Sequence, residues 1–304
     1  MLIELLALTL LRAQLAAVVG VLAVLALRVP VRRLVGSEAA YKLWRLAPAA
    51  ALASVFPSLS DALGAGVAPQ PPERLLAMAF LVVWIVGVVG LSGFIALSER
   101  AFRKRARAGL EGPAVMGVFC PRLVIPHDFA QRFTADERAL VMAHERAHMR
   151  RGDPRGNLII TACQVMGWLN PFVYLGAFVA RLDQEIACDG DVVALHPKAR
   201  KRYAETLMKA HAFTAASPLA CAFGRHPLVA RVRVIAGPGP VSNEGLTAAL
   251  ILGSLTVMIV MGVWSLAPRG PAPPSMRVPG ASARLFVDGV TPPPLHRNVG
   301  ANAR

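Results

Sequence analysis

The hydrophobic positions of the chain fall into long uncharged runs, separated by short polar segments. The clearest runs are residues 75–98 and 245–268, each long enough for a helix to cross a bilayer. Residues 2–27 form another run, and their acidic start and arginine-rich end favour a retained membrane helix over a cleaved signal peptide. Residues 46–60 are shorter and contain two prolines, so a tilted span or a re-entrant segment would fit, and a span is favoured. The pattern therefore predicts four transmembrane helices.

These runs divide the chain into four parts. Residues 1–99 hold three predicted membrane helices, and residues 100–243 hold most of the histidines and all four cysteines. Residues 244–268 form the fourth predicted helix, and the Pro-rich residues 269–304 are expected to be a disordered, extracytoplasmic tail. The predicted fold class is mainly α, a polytopic membrane protein with an α+β domain inserted between its third and fourth spans.

The charge distribution bears on which partners the chain binds. The chain carries a net charge of +15, which in a soluble protein would suggest a nucleic-acid partner. Here the basic residues flank the apolar runs and no nucleic-acid motif is visible, so we favour the positive-inside rule and contact with membrane lipid. The rule places the N-terminus outside and residues 100–243 in the cytoplasm. We therefore expect a multi-pass protein of the cell (inner) membrane that binds no nucleic acid directly.

The motif H-E-x-x-H, formed by His144, Glu145 and His148, carries the candidate chemistry. Residues four apart share a helix face, so the two imidazoles can point at one metal ion, with the glutamate placed as a general base. Thr134 and Glu137 form a T-x-x-E capping box that predicts the start of this helix. Because so short a motif also arises by chance, the alternative is a solvated or core-satisfied histidine pair.

A catalytic zinc ion usually has three protein ligands, so a third ligand should lie on a helix further along the chain. Glu185 and Asp189 are four residues apart and share a predicted helix face. Glu185 can reach the metal, while Asp189 can accept a hydrogen bond from a ligand imidazole and fix its tautomer. The alternative is a solvated acidic face, which the nearby Asp183 and Asp191 make reasonable. Cys188 lies off the Glu185 face and is expected to be a packed thiol.

Residues 156–180 are also uncharged, and hydropathy alone would make them a fifth span. A crossing there would put His148 and Glu185 on opposite sides of the membrane, where they could not share a metal ion. Asn170-Pro171 also interrupts the run, because a proline inside a helix breaks it. We therefore predict a helical hairpin that is buried in the protein or dips into the membrane.

Four stretches, in order along the chain, resemble segments of the membrane zinc metallopeptidases of the BlaR/MecR beta-lactam sensor–transducer type. They are P-R-L-V-I-P at residues 121–126, H-E-R-A-H-M-R-R-G-D at residues 144–153 followed by Asn157, W-L-N-P at residues 168–171, and Q-E-I-A-C-D at residues 184–189. Three spans before the peptidase and one after it fit the same plan. Two departures stand out: residues 269–304 are too few for the family's penicillin-binding sensor domain, and Arg146 replaces the usual aliphatic residue of the zinc helix. We expect Arg146 to point away from the metal.

The resemblance implies a zinc metalloendopeptidase of the cytoplasmic face. It makes His144, His148 and Glu185 the Zn²⁺ ligands and Glu145 the catalytic base, with Asp189 behind the ligands. The implied substrate is a transcriptional repressor of the winged-helix kind, the chain itself, or both. Two alternatives stay open, a membrane quality-control zinc protease of the HtpX-like kind and a non-catalytic receptor or scaffold. The sequence leaves the oligomeric state open, and a homodimer is one arrangement that it allows.

Two further features of the substrate site are weaker expectations. Tyr203, His196 or His211 could stabilise the oxyanion, although each is more often a packing or surface residue. Residues 117–124 could form an edge strand that pairs with an extended substrate by β-augmentation, or simply part of a structural sheet.

Overall fold

The fold is known from a computed structural model that describes residues 2–56, 72–211, 221–222, 227–237 and Gly262. The helices are α1 (Leu2–Leu34), α2 (Ser37–Lys42), α3 (Leu46–Ala53), α4 (Arg74–Arg107), α5 (Phe129–Arg132), α6 (Ala135–Arg151), α7 (Asp153–Met166), α8 (Pro171–Leu195), α9 (Arg200–His211) and α10 (Leu228–Ala236). Single 3-10 turns lie at Leu43–Arg45 and Pro197–Ala199, and the strands are β1 (Ala114–Met116), β2 (Arg122–Val124) and β3 (Cys221–Ala222). The predicted predominance of helix is confirmed.

Two helices in this part of the chain, α1 and α4, are long and apolar enough to cross a membrane. They confirm the apolar helices predicted at residues 2–27 and 75–98, and both continue past the apolar run into a basic segment. The predicted helix over residues 46–60 is wrong in length, because α3 ends at Ala53 and gives way to a turn. Apart from Gly262, the predicted fourth span and the Pro-rich tail lie outside the described residues.

A three-stranded antiparallel sheet follows α4, in the order β2–β1–β3. The predicted Pro-bounded strand is confirmed as β2, which forms one edge of this sheet. A single strand over residues 117–124 is wrong, because a turn separates β1 from β2. Gly117 adopts a φ of 99° in that turn, and a Cβ there would lie 2.5 Å from the Cys120 carbonyl oxygen. A side chain could not be accommodated without distortion, so the backbone turns at this glycine.

The predicted hairpin is formed by α7 and α8, which are separated at residues 167–170. The Asn170 side chain accepts a hydrogen bond from the backbone two residues later and so caps α8. The tip of the hairpin rests on both long apolar helices. Gln14 of α1 and Trp84 of α4 each donate a hydrogen bond to the Met166 carbonyl, and Trp168 donates one to the Trp84 carbonyl. The tip therefore meets both helices well inside their apolar lengths.

Helix α8 joins two hydrophobic cores. Its first half packs with α1, α2 and the following 3-10 turn, in a core that includes Val24, Leu43, Trp44 and Ala180. Its last turns pack with α6, α9 and α10, in a core that includes Val141, Val192, Leu207 and Ile235. The part of α8 between these cores carries Glu185 and Asp189, and it is buried on every side. One helix thus connects the long apolar helix α1 to the candidate site.

Candidate metal centre

Helix α6 places the two motif histidines on one buried face. The predicted capping box is present, with the Thr134 hydroxyl accepting from the Glu137 backbone and the Glu137 carboxylate accepting from the Thr134 backbone. From this start the helix runs unbroken through the motif to Arg151. The side chains of His144 and His148 are fully buried, and their rings lie edge to face with centroids 4.7 Å apart.

Potential ligand atoms of three residues converge between α6 and α8. His144 Nε2 lies 3.1 Å from His148 Nε2 and 3.3 Å from Glu185 Oε2, and His148 Nε2 lies 3.6 Å from Glu185 Oε1. Ligands about 2.1 Å from a tetrahedral zinc ion are separated from one another by about 3.4 Å. The spacing of these atoms therefore suits one tetrahedrally coordinated ion, and these residues fit a bound metal.

A local contact orients the second histidine. Helix α6 ends at Arg151, and the left-handed conformation of the following Gly152 (φ 69°) turns the chain into α7. Asp153, the first residue of α7, is thereby directed back at His148, and its carboxylate lies 2.8 Å from Nδ1. That carboxylate holds a proton on Nδ1 and leaves Nε2 with a lone pair for a metal.

A longer relay orients the first histidine. The Tyr203 hydroxyl of α9 lies 2.9 Å from His144 Nδ1 and donates a hydrogen bond of 2.6 Å to the Asp189 carboxylate. Asp189 itself lies 3.4 Å from Nδ1. Since the hydroxyl proton goes to the carboxylate, the tyrosine oxygen accepts from Nδ1–H, and His144 again keeps its Nε2 lone pair. The expected link from Asp189 to a ligand imidazole is thus made mainly through Tyr203.

Arg231 of α10 closes the site from the far side, and the sequence did not single it out. Its guanidinium is fully buried and forms two hydrogen bonds to Asp189, of 2.8 and 2.6 Å. It also lies 3.0 Å from Glu185 Oε2. Arg231 therefore bridges Glu185, the proposed third ligand, and Asp189, the carboxylate that supports His144.

These contacts set the charge states in the buried site. Burial opposes ionisation of Glu185 and Asp189, but the neighbouring Arg231 and the histidines outweigh it and lower the pKa of both carboxyls. Burial also opposes protonation of His144, but the carboxylates of Asp189 and Glu185 raise its pKa to about 9. The carboxylates that favour a proton on His144 would also favour a metal cation at Nε2, which would displace that proton.

Glu145 has the environment of a proton acceptor. Its side chain is fully buried, and neither carboxylate oxygen has a hydrogen-bond partner among the residues that the structure describes. Burial raises the pKa of Glu145 to about 7, although the nearby His148 and His144 act in the opposite direction. An unpaired buried carboxylate beside a metal site is suited to bind and deprotonate a water molecule.

A second set of potential ligands shares His148. Cys188 Sγ lies 3.3 Å from His148 Nδ1 and 3.3 Å from the Asp153 carboxylate, so these three residues could also surround an ion. A metal requires the thiolate, however, and burial raises the pKa of the Cys188 thiol well above its usual value. Cys188 is better described as a packed thiol that donates a hydrogen bond to Asp153.

The structure also locates the weaker candidates. Tyr203 is buried, and its hydroxyl contacts His144 and donates to Asp189, so its proton is not directed at an oxyanion. His196 is exposed beyond the end of α8, and the side chain of His211 lies outside the described residues. Arg146 is exposed, on the side of α6 away from the buried histidines, as expected.

The fold and site together have the features of a membrane metallopeptidase: three buried residues that could hold a metal ion, with a buried glutamate next to them in the chain, on helices joined to long apolar helices. The family of the BlaR1 peptidase M56 matches residues 8–71 and 105–235, well over half of the chain, and the chain belongs to that family. A stretch of 101 residues is 32% identical to the "Regulatory protein BlaR1" of Bacillus licheniformis, covering 33% of this chain and 17% of that protein. The resemblance noted from the motifs is thus confirmed.

Proposed function

We propose that this protein is a membrane-embedded zinc endopeptidase that acts at the cytoplasmic face. The observation that carries the proposal is the convergence of His144 Nε2, His148 Nε2 and the Glu185 carboxylate within 3.6 Å of one another, inside a protein of a peptidase family. Two imidazoles and one carboxylate are a ligand set typical of catalytic zinc, with one position left for water or substrate.

The protein side chains perform separate tasks in the proposed reaction. His144, His148 and Glu185 would hold the ion, which when bound supplies a Lewis acid that polarises the scissile carbonyl and acidifies water. Glu145 accepts the proton of the attacking water and then delivers it to the leaving amine. Arg231 keeps Glu185 and Asp189 ionised, and the Tyr203 and Asp153 contacts hold each imidazole in the tautomer that ligation needs.

The membrane arrangement is part of the proposal. Helix α7 is about 20 Å long, so a hairpin that starts beside the site and ends at Gln14 and Trp84 would reach far into the bilayer. Its tip exposes Met166, Leu169 and Phe172, which suits lipid better than water. Basic segments end both α1 and α4, which by the positive-inside rule supports a cytoplasmic peptidase domain over residues 100–243.

The proposed substrate is a cytoplasmic transcriptional repressor, the chain itself, or both. The relative from Bacillus licheniformis is named a regulatory protein, and this supports the proposed signalling role. Strand β2 at the sheet edge offers backbone groups to which an extended substrate segment could add as a further strand.

The test compares cells that express the wild type, Glu145→Gln and the matched control Glu205→Gln, an exposed glutamate of α9. We expect all three purified proteins to retain zinc, and proteomics to find cleavage fragments with the wild type and control but not with Glu145→Gln. Cleavage by Glu145→Gln at the wild-type rate would contradict the mechanism. Fragments of many unrelated membrane proteins would favour quality control, and a wild type without zinc would favour a receptor or scaffold.

A further inference from the structure

Within one turn of α8, Asp183 and Glu185 are held by partners on opposite sides of the helix. On the side away from the metal centre, Asp183 is 1% exposed. Its carboxylate lies among hydrogen-bond donors from α1 and from the 3-10 turn Leu43–Arg45. Arg28 of α1 donates two hydrogen bonds to it, of 2.8 and 2.9 Å, and the Trp44 indole donates a third of 2.8 Å. Arg32 contributes a fourth contact of 3.3 Å. We name these four residues the Asp183 clamp.

The position of the clamp relative to the metal centre follows from helix geometry. Residues two apart on an α-helix point about 200° away from each other. Asp183 therefore faces α1 and the 3-10 turn while Glu185 faces α6 and α10, and the observed partners of the two carboxylates agree. A shift of α8 that follows Asp183 must also move Glu185, because one helical turn contains both.

Close packing on the same side leaves α8 little freedom to slide. Gln184 donates a hydrogen bond of 2.8 Å to the Tyr41 hydroxyl of α2. At Gly176 the helices approach so closely that a Cβ would lie 2.9 Å from a methyl group of Val21 in α1. The contact between α1, α2 and α8 thus has a defined register. The paired hydrogen bonds from Arg28 to the Asp183 carboxylate specify this register more sharply than apolar contacts alone would.

The geometry points to Asp183 as a positioning residue that ties the third metal ligand to the membrane helix α1. Through the Asp183 clamp, the axial position of α1 sets the distance from Glu185 to His144 and His148. A displacement of α1 along its axis therefore moves Glu185 away from the two histidines or brings it within ligand distance of them. This inference rests on the proposed function, since it concerns the same three ligands. Displacements of about 1 Å at such a site are sufficient to change activity strongly.

The experiment uses the full-length protein in detergent micelles with Co²⁺ as the metal probe, because its visible absorption reports ligand geometry. Asp183→Asn removes the charge that holds both arginines. Trp44→Phe removes a single donor and keeps the ring. Glu99→Gln is the matched control, since Glu99 is also a buried carboxylate paired with an arginine, but it lies on α4 and is not part of the Asp183 clamp.

We expect Asp183→Asn to weaken Co²⁺ binding about tenfold and to change the absorption spectrum, with a smaller effect in the same direction from Trp44→Phe. Glu99→Gln should match the wild type. Wild-type affinity and spectrum in a folded Asp183→Asn protein would overturn the inference, and so would a wild-type spectrum in Trp44→Phe if Asp183→Asn fails to fold. A wild type that binds no Co²⁺ would instead overturn the proposed function, and the inference with it.

Discussion

The two histidines of the candidate metal centre are supported in different ways. His148 is held by Asp153, five residues along the chain, through one direct contact of 2.8 Å. His144 is held by Tyr203, whose hydroxyl passes the contact on to Asp189, which in turn is fixed by Arg231. The first support is a product of one helix junction, and the second requires α8, α9 and α10 to be packed together.

The support for His148 is therefore local in the chain, whereas the support for His144 depends on the tertiary fold. Asp153 is directed at His148 by the turn at Gly152 as soon as α6 and α7 have formed. The support for His144 exists only when the whole domain is folded, because its members come from three further helices. We therefore expect changes at Arg231 to affect both folding and metal binding, and changes at Asp153 to affect mainly metal binding.

The largest effect is expected from Arg231→Leu. The substitution leaves the carboxylates of Asp189 and Glu185 buried without their cation, and breaking a buried ion pair from one side costs about 3–5 kcal/mol of folding free energy. Arg233→Leu is the matched control, since Arg233 lies on the same helix and is exposed. Denaturant unfolding of the purified proteins measures the difference, and equal stability of the two variants would show that the relay does not hold the fold.

A smaller effect is expected from Asp153→Asn. The isosteric amide removes the charge that holds the proton on His148 Nδ1, and loss of such a support typically weakens metal binding by about 10–100-fold. Asp191→Asn provides the control, because this partly exposed carboxylate pairs loosely with Arg150 and Arg151 and contacts no proposed ligand. Competition with a chromophoric zinc chelator gives the affinities. Equal affinities for the two variants would remove Asp153 from the site.

The smallest effect is expected from Tyr203→Phe. Removing the hydroxyl breaks the relay, but Asp189 Oδ1 is only 3.4 Å from His144 Nδ1 and can close the gap. Zinc binding should therefore fall by less than about tenfold, and by less than in Asp153→Asn. The same competition assay checks this order. A larger loss in Tyr203→Phe would mean that the indirect support is the stronger one, which reverses the comparison.

Local signals explain which parts of the site could be predicted from the sequence. The capping box and the four-residue spacing specify α6 and its histidine pair, and Asn170-Pro171 specifies the break between α7 and α8. The position of Glu185 needed one further assumption, that a metal has a third ligand on a later helix. The helix start, the histidine pair and the hairpin break each depend on residues close together in the chain.

The remaining parts depend on tertiary packing. Arg231 lies 42 residues from Asp189, and in the sequence it resembles the other basic residues that precede an apolar run. The same holds for Arg28, which follows a membrane run and is nevertheless bound to Asp183 at a separation of 155 residues. Hydropathy also marks only the apolar part of α1. The helix itself continues beyond that run, through Pro30 to Leu34.

The most direct test of the central claim is X-ray absorption spectroscopy at the zinc edge of the zinc-loaded, full-length protein. The cluster of His144, His148 and Glu185 predicts a first shell of nitrogen and oxygen atoms only, at about 2.0–2.2 Å, with outer-shell scattering from two imidazoles. The competing cluster of His148, Asp153 and Cys188 predicts a sulfur atom at about 2.3 Å and one imidazole. A sulfur ligand, or fewer than two imidazoles, would contradict the account.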